Sequence, residues 1–322
     1  MKLGIALAAA VIAALASAPT RAQTQPFPSR PVRIIVPLPP GATADTVPRL
    51  IAEKMSVRWG VPVVVENRPG AAQNLGAEIV ARAEPDGHTL LATPQGPLVI
   101  SQSLFSKLNF DPGAFTPITV MASLPFVLVV NAKAPVSSLA DLAARSRANP
   151  GGLSYASPGL GSPTHLTMEW LQQLMGAKLT HVPYQGAAPA LMDVLAGHVD
   201  VMFDNAGNVI ELIRSGKVRA LAVTSRSRIA ELPDVPAIAE TWPEYEATSW
   251  FAIAAPPKTP PSIASAISRA AIDALRAPDV SRKVADLSAN VVANTPEEMA
   301  AFMATEIVQW RKVIESARVK LD

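Results

Sequence analysis

The segment Pro37–Leu50, PLPPGATADTVPRL, decides how this chain folds. It follows the apolar run Val32–Val36, which is typical of a short buried strand. Its prolines forbid both a longer strand and an early helix, and Gly41 lets the backbone approach a neighbour closely. Pro48 fits a helix in its first turn, so the helix is predicted to begin around Ala44–Thr46. A strand that passes through small residues into a helix presents unpaired N–H groups and a positive dipole end. The segment therefore predicts an anion site, with an ordinary strand–helix connection as the alternative.

Residues 1–22 have the pattern of a secretory signal peptide. Lys2 precedes an apolar run, Leu3–Leu15, and small residues then offer cleavage after Ala18 or Ala22. The run is too short for a membrane anchor. Removing residues 1–22 leaves 26 basic and 26 acidic residues, a balance that excludes a basic surface for nucleic acid or anionic membrane. The absence of Cys excludes disulfides and suits an exported bacterial protein.

The rest of the chain alternates strand and helix patterns in two separate stretches. The first runs from Val32 to Thr93, and the second restarts at Leu153 and ends at Ser225. Such alternation predicts parallel sheets, whose ligands lie outside the carboxyl ends of the strands. We therefore expect an α/β fold of two lobes, each a parallel-rich sheet flanked by helices.

The segment Phe115–Pro135 lies between these stretches and is long, β-rich and interrupted by Pro125. It is typical of a strand that leaves one sheet and enters another, so we predict a first crossing at 122–131 and a second at 223–228. The lobes would then be residues 23–126 with 225–322, and residues 127–224. Two crossings return the tail to the first lobe, with helices near Ser262–Leu287 and Pro296–Ala317.

The loop Ser157–His165, SPGLGSPTH, offers hydroxyls and amides at a predicted helix start but no fixed positive charge. Its glycines resemble a dinucleotide-binding fingerprint only superficially, because Thr164 replaces the third glycine and Pro163 removes an amide. No acidic residue ends the next strand either, so we predict no NAD site and no other cofactor.

Two further loops of the second stretch carry similar chemistry. Gly186, Ala187 and Ala188 precede Pro189, which predicts another helix start built from small residues. Asp204 and the residue after it end a strand, where one can cap the next helix while the other contacts a ligand.

Motifs for catalysis and metal binding are missing from the sequence. The four histidines show no metal-binding spacing, and neither a GxSxG elbow nor a phosphate-binding loop occurs. We therefore predict no enzyme activity and no metal site. His165 is either a ligand contact or a structural residue bonded to a neighbouring carbonyl. Phe126, Trp242 and Trp250 pack in a core or hinge, with a place in a ligand cleft as the alternative.

Segments along nearly the whole chain after residue 27 resemble the Bug family of periplasmic solute-binding proteins, the TctC-type receptors of tripartite tricarboxylate transporters. The segments are PLPPGATAD, VVVENRPGAAQNLGAE, PDGHTLL, SYASPGLGSPTHL, HVPYQGAAPALMDVLAG, VDVMFDN, VRALAVTS, LPDVP and SWFAIAAP. The resemblance implies a two-lobed Venus-flytrap fold of type II that closes over a small carboxylate. Loop amides, hydroxyls and ordered water would hold the ligand instead of Arg or Lys. It also implies a periplasmic monomer that meets the permease subunits of a membrane transporter.

The resemblance carries over ligand-binding positions from both lobes. In the first lobe they are Pro39, Gly41, Ala42, Thr43, Asp45, Thr93 and Gln95. In the second lobe they are Ser157, Gly161, Ser162, His165, Gly186, Ala187, Ala188 and Asp204. The chain departs from the family pattern at Ala42, which replaces a glycine, and at Ala44, which takes the place of a hydroxylated residue. The segment Thr93–Pro97, TPQGP, replaces a segment of small residues that is commoner in the family. Gln95 therefore stands where ligand discrimination could change.

Three functions were compared. The leading hypothesis is a transport receptor that binds a di- or tricarboxylate, an aromatic acid or an acidic amino acid. A sensory adaptor that presents its loaded form to a membrane signalling partner needs the same cleft. An enzyme would need a nucleophile and base, which the sequence does not offer.

Overall fold

The computed structural model describes residues 27–41 and 43–321. The predicted signal peptide and Ala42 lie outside the described residues. The strands are β1 Val32–Val36, β2 Val63–Asn67, β3 Thr89–Pro94, β4 Thr116–Asn131, β5 Ser154–Ser157, β6 Thr180–Pro183, β7 Val201–Asn205, β8 Val218–Val223, β9 Thr248–Ala255 and β10 Asn290–Val291. The helices are α1 Thr43–Trp59, α2 Asn74–Ala81, α3 Ser101–Leu104, α4 Leu139–Ala148, α5 Pro163–Met175, α6 Ala187–Ala196, α7 Ala206–Arg214, α8 Pro261–Arg276, α9 Pro278–Asp286 and α10 Pro296–Ala317.

The first sheet is buried on both faces, as its apolar strands predict. β1 pairs in parallel with β2 and β3, and β3 pairs antiparallel with β9. Successive side chains of β1 point to opposite faces, so Ile34 packs with α1 and α8 while Ile35 packs with α2 and α10. This two-sided cover is what a near-continuous apolar strand requires.

The second sheet repeats the arrangement. β5 pairs in parallel with β6 and β7, and β4 pairs antiparallel with β7 and β8. Leu128 and Phe203 pack with α4 and α5 on one face, whereas Val129 and Met202 pack with α6 and α7 on the other.

β4 belongs to both sheets. Its first part, Thr116–Pro125, pairs with β9, and its second part, Phe126–Asn131, pairs with β7 and β8. The strand order along the joined sheets is β2-β1-β3-β9-β4-β7-β5-β6. The protein therefore has the predicted two-lobed α/β fold. The exact lobe boundaries remain a prediction.

Two helix boundaries differ from the sequence prediction because of proline. α1 begins at Thr43, which places Pro48 in the second turn rather than the first. The single helix predicted near Ser262–Leu287 is two helices, α8 and α9. Ala277, the residue before Pro278, is extended at φ −61° and ψ 133°. A residue that precedes proline avoids the helical region, and this breaks the helix.

Two strands also differ from the prediction. β8 was expected to extend a parallel sheet, but it pairs antiparallel with β4. The two-residue strand β10 was not predicted and pairs antiparallel with Ala122 and Ser123. Both depend on which partner the segment meets in space, which the local sequence pattern does not encode.

Helix α10 contacts elements of both halves, packing on β4 and on α5. It is fixed by Glu306, whose Oε2 accepts hydrogen bonds from the indole N–H groups of Trp250 and Trp310, both at 2.9 Å. Burial raises the pKa of Glu306, against the two indole bonds, which lower it. In the described part of the chain, none of the helices has the length and apolar character needed to cross a membrane.

Candidate functional site

A cavity of about 400 Å³ lies where the loops at the carboxyl ends of β2, β3, β5 and β7 meet. This is the edge at which α/β sheets bind ligands. Phe126 of β4, Ser249 of β9 and Leu321 complete its wall. Three larger depressions, of about 670, 630 and 480 Å³, lie near Gly216, near Gly176 and beside His181. We place the site in the smaller cavity because both halves of the chain contribute strand ends to it.

Four of the described helices that have eight or more residues begin at this cavity. Each places its first residue or the residue before it on the wall: Gln73 for α2, Ser162 for α5, Ala187 for α6 and Asn205 for α7. No side chain caps the start of α6 or α7, so their first N–H groups keep their capacity to donate. At the start of α2, the N–H of Asn74 already donates to the carbonyl of Ala71, and that of Leu75 donates to the carbonyl of Gly70 at 3.4 Å. None of the described residues that line the cavity is Lys, Arg or His. The positive character of the site therefore comes from helix dipoles and backbone amides.

The loop before α2 is strained. Ala71, Ala72 and Gln73 are consecutive non-glycine residues at φ 47°, 50° and 77°, in the left-handed region that such residues rarely adopt. Asn74 is anchored to α3, because Ser101 Oγ donates to its Oδ1 at 2.9 Å. Strain of this kind is concentrated at ligand sites. The sequence prediction did not include Ala72 and Gln73, although their place after β2 pointed to the correct edge of the sheet.

The described residues of the predicted anion loop of the first half, 39–41 and 43–45, do not line the cavity. Pro39 and Gly41 are exposed, and Thr43 is half-buried. Asp45 accepts hydrogen bonds from Gly41 N at 3.0 Å, from Arg49 Nη2 at 2.9 Å and from Asn67 Nδ2 at 2.8 Å.

Asp45 therefore fastens the loop to its own helix and to β2. Burial disfavours the charged carboxylate, but the bonds from Arg49, Asn67 and Gly41 outweigh it and hold the pKa of Asp45 below its ordinary value. Asp45 is the third residue of α1, and its bond to Gly41 N reaches back to the loop two residues before the helix.

Thr93 and Gln95 stand behind the cavity wall, while their neighbours Pro94 and Gly96 line it. Thr93 Oγ1 donates to the carbonyl of Pro94 at 3.0 Å. Gln95 Oε1 accepts from the N–H of Trp250 at 3.1 Å, and its buried Nε2 has no partner among the described residues. Gln95 thus retains an unused donor close to the cavity.

In the second half, Gly161 and Ser162 line the cavity, whereas Ser157 and His165 hold the loop from behind. Ser157 Oγ lies 2.7 Å from Nε2 of His181, and His165 Nδ1 accepts the N–H of Gly161 at 3.0 Å. The rings of His165 and His181 stack at 4.1 Å. Burial lowers the pKa of His165 to about 3 and that of His181 to about 4, so both are neutral at physiological pH.

His165 is therefore a structural residue in this geometry. Its partner is an amide N–H rather than the carbonyl that the sequence analysis considered. Gly161 shows how tightly the loop is packed, because a Cβ added there would lie 2.7 Å from Leu321 Cδ1. No sequence signal pointed to Leu321.

The helix starts at α6 and α7 carry the remaining predicted residues. Ala187 lines the cavity, Gly186 is half-buried at φ 118°, and Ala188 is exposed. Asp204, 2 % exposed, lines the cavity and accepts hydrogen bonds at Oδ1 from Asn205 N at 2.7 Å and from Asn208 Nδ2 at 2.8 Å. Burial raises the pKa of Asp204 to about 6, although both bonds lower it.

The aromatic residues are divided between core and cavity. Phe126 is buried and also lines the cavity, Trp250 lies in the core, and Trp242 packs against the core from its edge. In the part of the chain described here, no group of three His, Asp or Glu side chains could hold a metal ion. The arrangement is that of a binding site for a small polar molecule.

Similar proteins identify the kind of site. BugT of Bordetella pertussis is 38% identical over 322 residues, which is 99% of this chain and 97% of BugT. The structure of R. palustris Rpa4515 with adipate is 34% identical with a TM-score of 0.78 and covers 91% of this chain and 99% of that one. The structure of MatC (Rpa3494) from Rhodopseudomonas palustris with bound malate is 33% identical with a TM-score of 0.75. It covers 89% of this chain and 100% of that one. Both solved structures contain a small carboxylic acid, adipate in one and malate in the other.

The family model of the tripartite tricarboxylate transporter family receptor, TctC, matches residues 47–319. This range includes every cavity-lining residue except Leu321. The chain therefore belongs to the TctC family of tripartite tricarboxylate transporter receptors.

Proposed function

We propose that this protein is a periplasmic receptor that binds a small carboxylate and delivers it to the membrane permease of a tripartite tricarboxylate transporter. The observation that carries the proposal is the convergence of four helix starts on a cavity without a basic side chain. Backbone N–H groups at helix starts bind carboxylates without needing Arg or Lys. The cavity volume of about 400 Å³ suits a small acid.

The energetics support binding of useful strength. Hydrogen bonds to a charged group contribute about 1.5–3 kcal/mol each. Three or four of them contribute about 5–12 kcal/mol, so after an entropic cost of association of at least about 4 kcal/mol these bonds alone give a dissociation constant of about a micromolar at best. The solved relatives with adipate and with malate favour a carboxylate, and the family favours delivery to a transporter over a sensory role.

The ligand contacts that we propose are divided between backbone and side chains. Amides at the starts of α5, α6 and α7 hold the carboxylate, and the side chains of Gln73, Ser162 and Asp204 contact the rest of the molecule. The predicted contacts of Pro39–Asp45 remain a prediction and require a movement of the cavity wall. Residues 1–22 would direct export to the periplasm, and the receptor would act as a monomer.

A thermal-shift screen tests the proposal. The screen covers mono-, di- and tricarboxylates, aromatic acids and acidic amino acids, with neutral sugars as the control. A ligand at about one hundred times its dissociation constant raises the free energy of unfolding by about 2.7 kcal/mol and shifts the midpoint by several degrees. A midpoint that moves with sugars and with none of the acids contradicts the proposal. Co-purification with a sensor kinase instead of a permease would contradict the transport role.

A further inference from the structure

One carboxylate oxygen in the cavity has no partner. Asp204 Oδ1 is bonded to Asn205 N and Asn208 Nδ2, whereas its Oδ2 is buried and makes no hydrogen bond with the described residues. A buried carboxylate oxygen left without a donor is costly. Since Asp204 is 2 % exposed and lines the cavity, a donor can reach Oδ2 only from the cavity side.

No cationic side chain among the described residues of the cavity wall compensates this charge. Among the described residues that line the cavity, Asp204 is the only titratable one. On the neighbouring elements, β4 brings Val127 opposite Asp204, and α7 brings the neutral Asn208. His165 and His181 lie behind the β5–α5 loop and are neutral, because burial lowers the pKa of both.

Two other polar groups of the wall are also unpaired. Asn205 Oδ1 and Thr164 Oγ1 are buried without a partner. An ionised carboxylate beside an amide oxygen repels a bare carboxylate ligand and attracts a hydrogen-bond donor. The helix starts around the same cavity attract the opposite kind of group, an anion. The wall therefore presents separate places for an acid group and for a donor group.

We propose that the cavity selects a carboxylate whose carbon chain carries a hydroxyl or ammonium group, which donates to Asp204 Oδ2. This inference rests on the proposed function, because the acid group must still be held by the helix starts. It goes further by separating substituted acids from plain dicarboxylates of the same length. Hydroxyl and ammonium share the donor chemistry, and an ammonium can in addition reach Asn205 Oδ1.

Matched ligand series test the inference by isothermal titration calorimetry at pH 7.5. The series are succinate, malate and aspartate; glutarate, 2-hydroxyglutarate and glutamate; and adipate, 2-hydroxyadipate and 2-aminoadipate. In the series of the right length, the hydroxy or amino member is expected to bind about tenfold or more tightly than the plain acid. The member of the series with the larger gain in affinity over the plain acid, hydroxy or amino, identifies the donor group.

The variant Asp204→Asn should bring the affinities of plain and substituted acids to within about twofold of each other. The matched control Asp193→Asn changes a carboxylate on α6 that bonds Tyr184 outside the cavity, and should keep the discrimination. Discrimination that survives in Asp204→Asn overturns the inference, as does equal binding of plain and substituted acids by the wild type.

The wild type alone also gives an answer if Asp204→Asn does not fold. Protonation of Asp204 removes the acceptor, so the affinity ratio between substituted and plain acid should shrink as the pH falls from 8 to 5.5. If a protonated Asp204 instead donates to the ligand, both acids bind more tightly at low pH, and the inference fails. If no acid binds in any series, the inference fails, whereas the proposed function fails only if the thermal-shift screen also finds no acid that binds, which separates the two outcomes.

Discussion

Thr224 and Phe126 exchange hydrogen bonds where the two predicted crossing segments run side by side. The N–H of Phe126 donates to Thr224 Oγ1 at 2.9 Å, and the N–H of Thr224 donates to the carbonyl of Phe126 at 3.0 Å. Thr224 is fully buried, and Phe126 lines the cavity. The junction between the two sheets is therefore fastened directly beside the proposed ligand site.

Thr224→Val should lower the free energy of unfolding by about 1–3 kcal/mol. The variant keeps the shape of the side chain but leaves the buried N–H of Phe126 without its acceptor. Urea unfolding followed by circular dichroism measures the change. Thr305→Val, at an exposed position of α10, is the control and should change stability by less than about 0.5 kcal/mol. Equal effects of both variants would show that the bond does not matter.

Asp45→Ala should lower stability by about 0.5–2 kcal/mol, the range for the loss of a helix-capping residue. The loss should be the same with and without ligand, since Asp45 does not line the cavity. Asp273→Ala, which breaks an exposed ion pair with Arg58, is the control and should cost less. A variant that keeps its stability but loses affinity would identify Asp45 as a ligand contact.

The carboxylate of Asp45 also makes the free energy of unfolding depend on pH. The pKa of Asp45 is lower in the folded protein than its ordinary value of 3.8. Its contribution to stability is therefore complete above that value and is lost as the pH falls below about 4. The difference in unfolding free energy between wild type and Asp45→Ala should shrink in acid between about pH 4 and pH 2. A difference that grows in acid would contradict this.

Ala187→Leu should block binding of every acid alike, because the longer side chain fills the cavity at the start of α6. Ala188→Leu is the matched control, since Ala188 belongs to the same helix turn and is exposed. Titration calorimetry with one cognate acid and one near analogue measures both variants. We expect binding to be lost in Ala187→Leu and unchanged in Ala188→Leu. Binding that survives in Ala187→Leu would place the ligand elsewhere.

His165→Asn should weaken the fall in stability between pH 6.5 and pH 4, while His181, whose pKa burial lowers to about 4, keeps its own contribution. Burial lowers the pKa of His165 to about 3, so the unfolded chain binds a proton at pH values where the folded protein does not. Stability then falls as the pH is lowered through this range, by up to about 1.4 kcal/mol per pH unit.

Asparagine should keep an acceptor for Gly161 N–H but cannot titrate, so the variant removes this part of the slope. The exposed His198, replaced by Asn, is the control. Unfolding at a series of pH values gives the slopes, and an unchanged slope in His165→Asn would contradict the assignment.

The order of strands and helices could be predicted because it is written in local patterns. The apolar run Val32–Val36 is β1, residue for residue, and LSYAS contains β5. The direction in which β8 pairs could not be predicted, since it depends on a partner about ninety residues away. The break at Pro278 could have been predicted from proline chemistry.

The sequence prediction placed the candidate site at the edge of the sheets where the cavity lies, and some of the predicted residues line that cavity. Gly161, Ser162, Ala187 and Asp204 line the cavity, whereas Gln95 and Ser157 turn their side chains into the protein. Which way a side chain faces at a strand end depends on the register and twist of the whole sheet. Gln73 and Leu321 reach the wall through a strained loop and a distant segment of the chain, and neither leaves a motif.

The carboxylate of Glu306, which binds both Trp250 and Trp310, allows ligand binding to be followed by intrinsic fluorescence. Both indoles donate to one oxygen of Glu306, and Trp250 follows Ser249, which lines the cavity. Any shift of β9 against α10 on ligand binding changes the polarity around two of the five tryptophans. Intrinsic fluorescence should therefore change with occupancy of the cavity. Stopped-flow measurements of this signal would give the rate of ligand binding without an added dye.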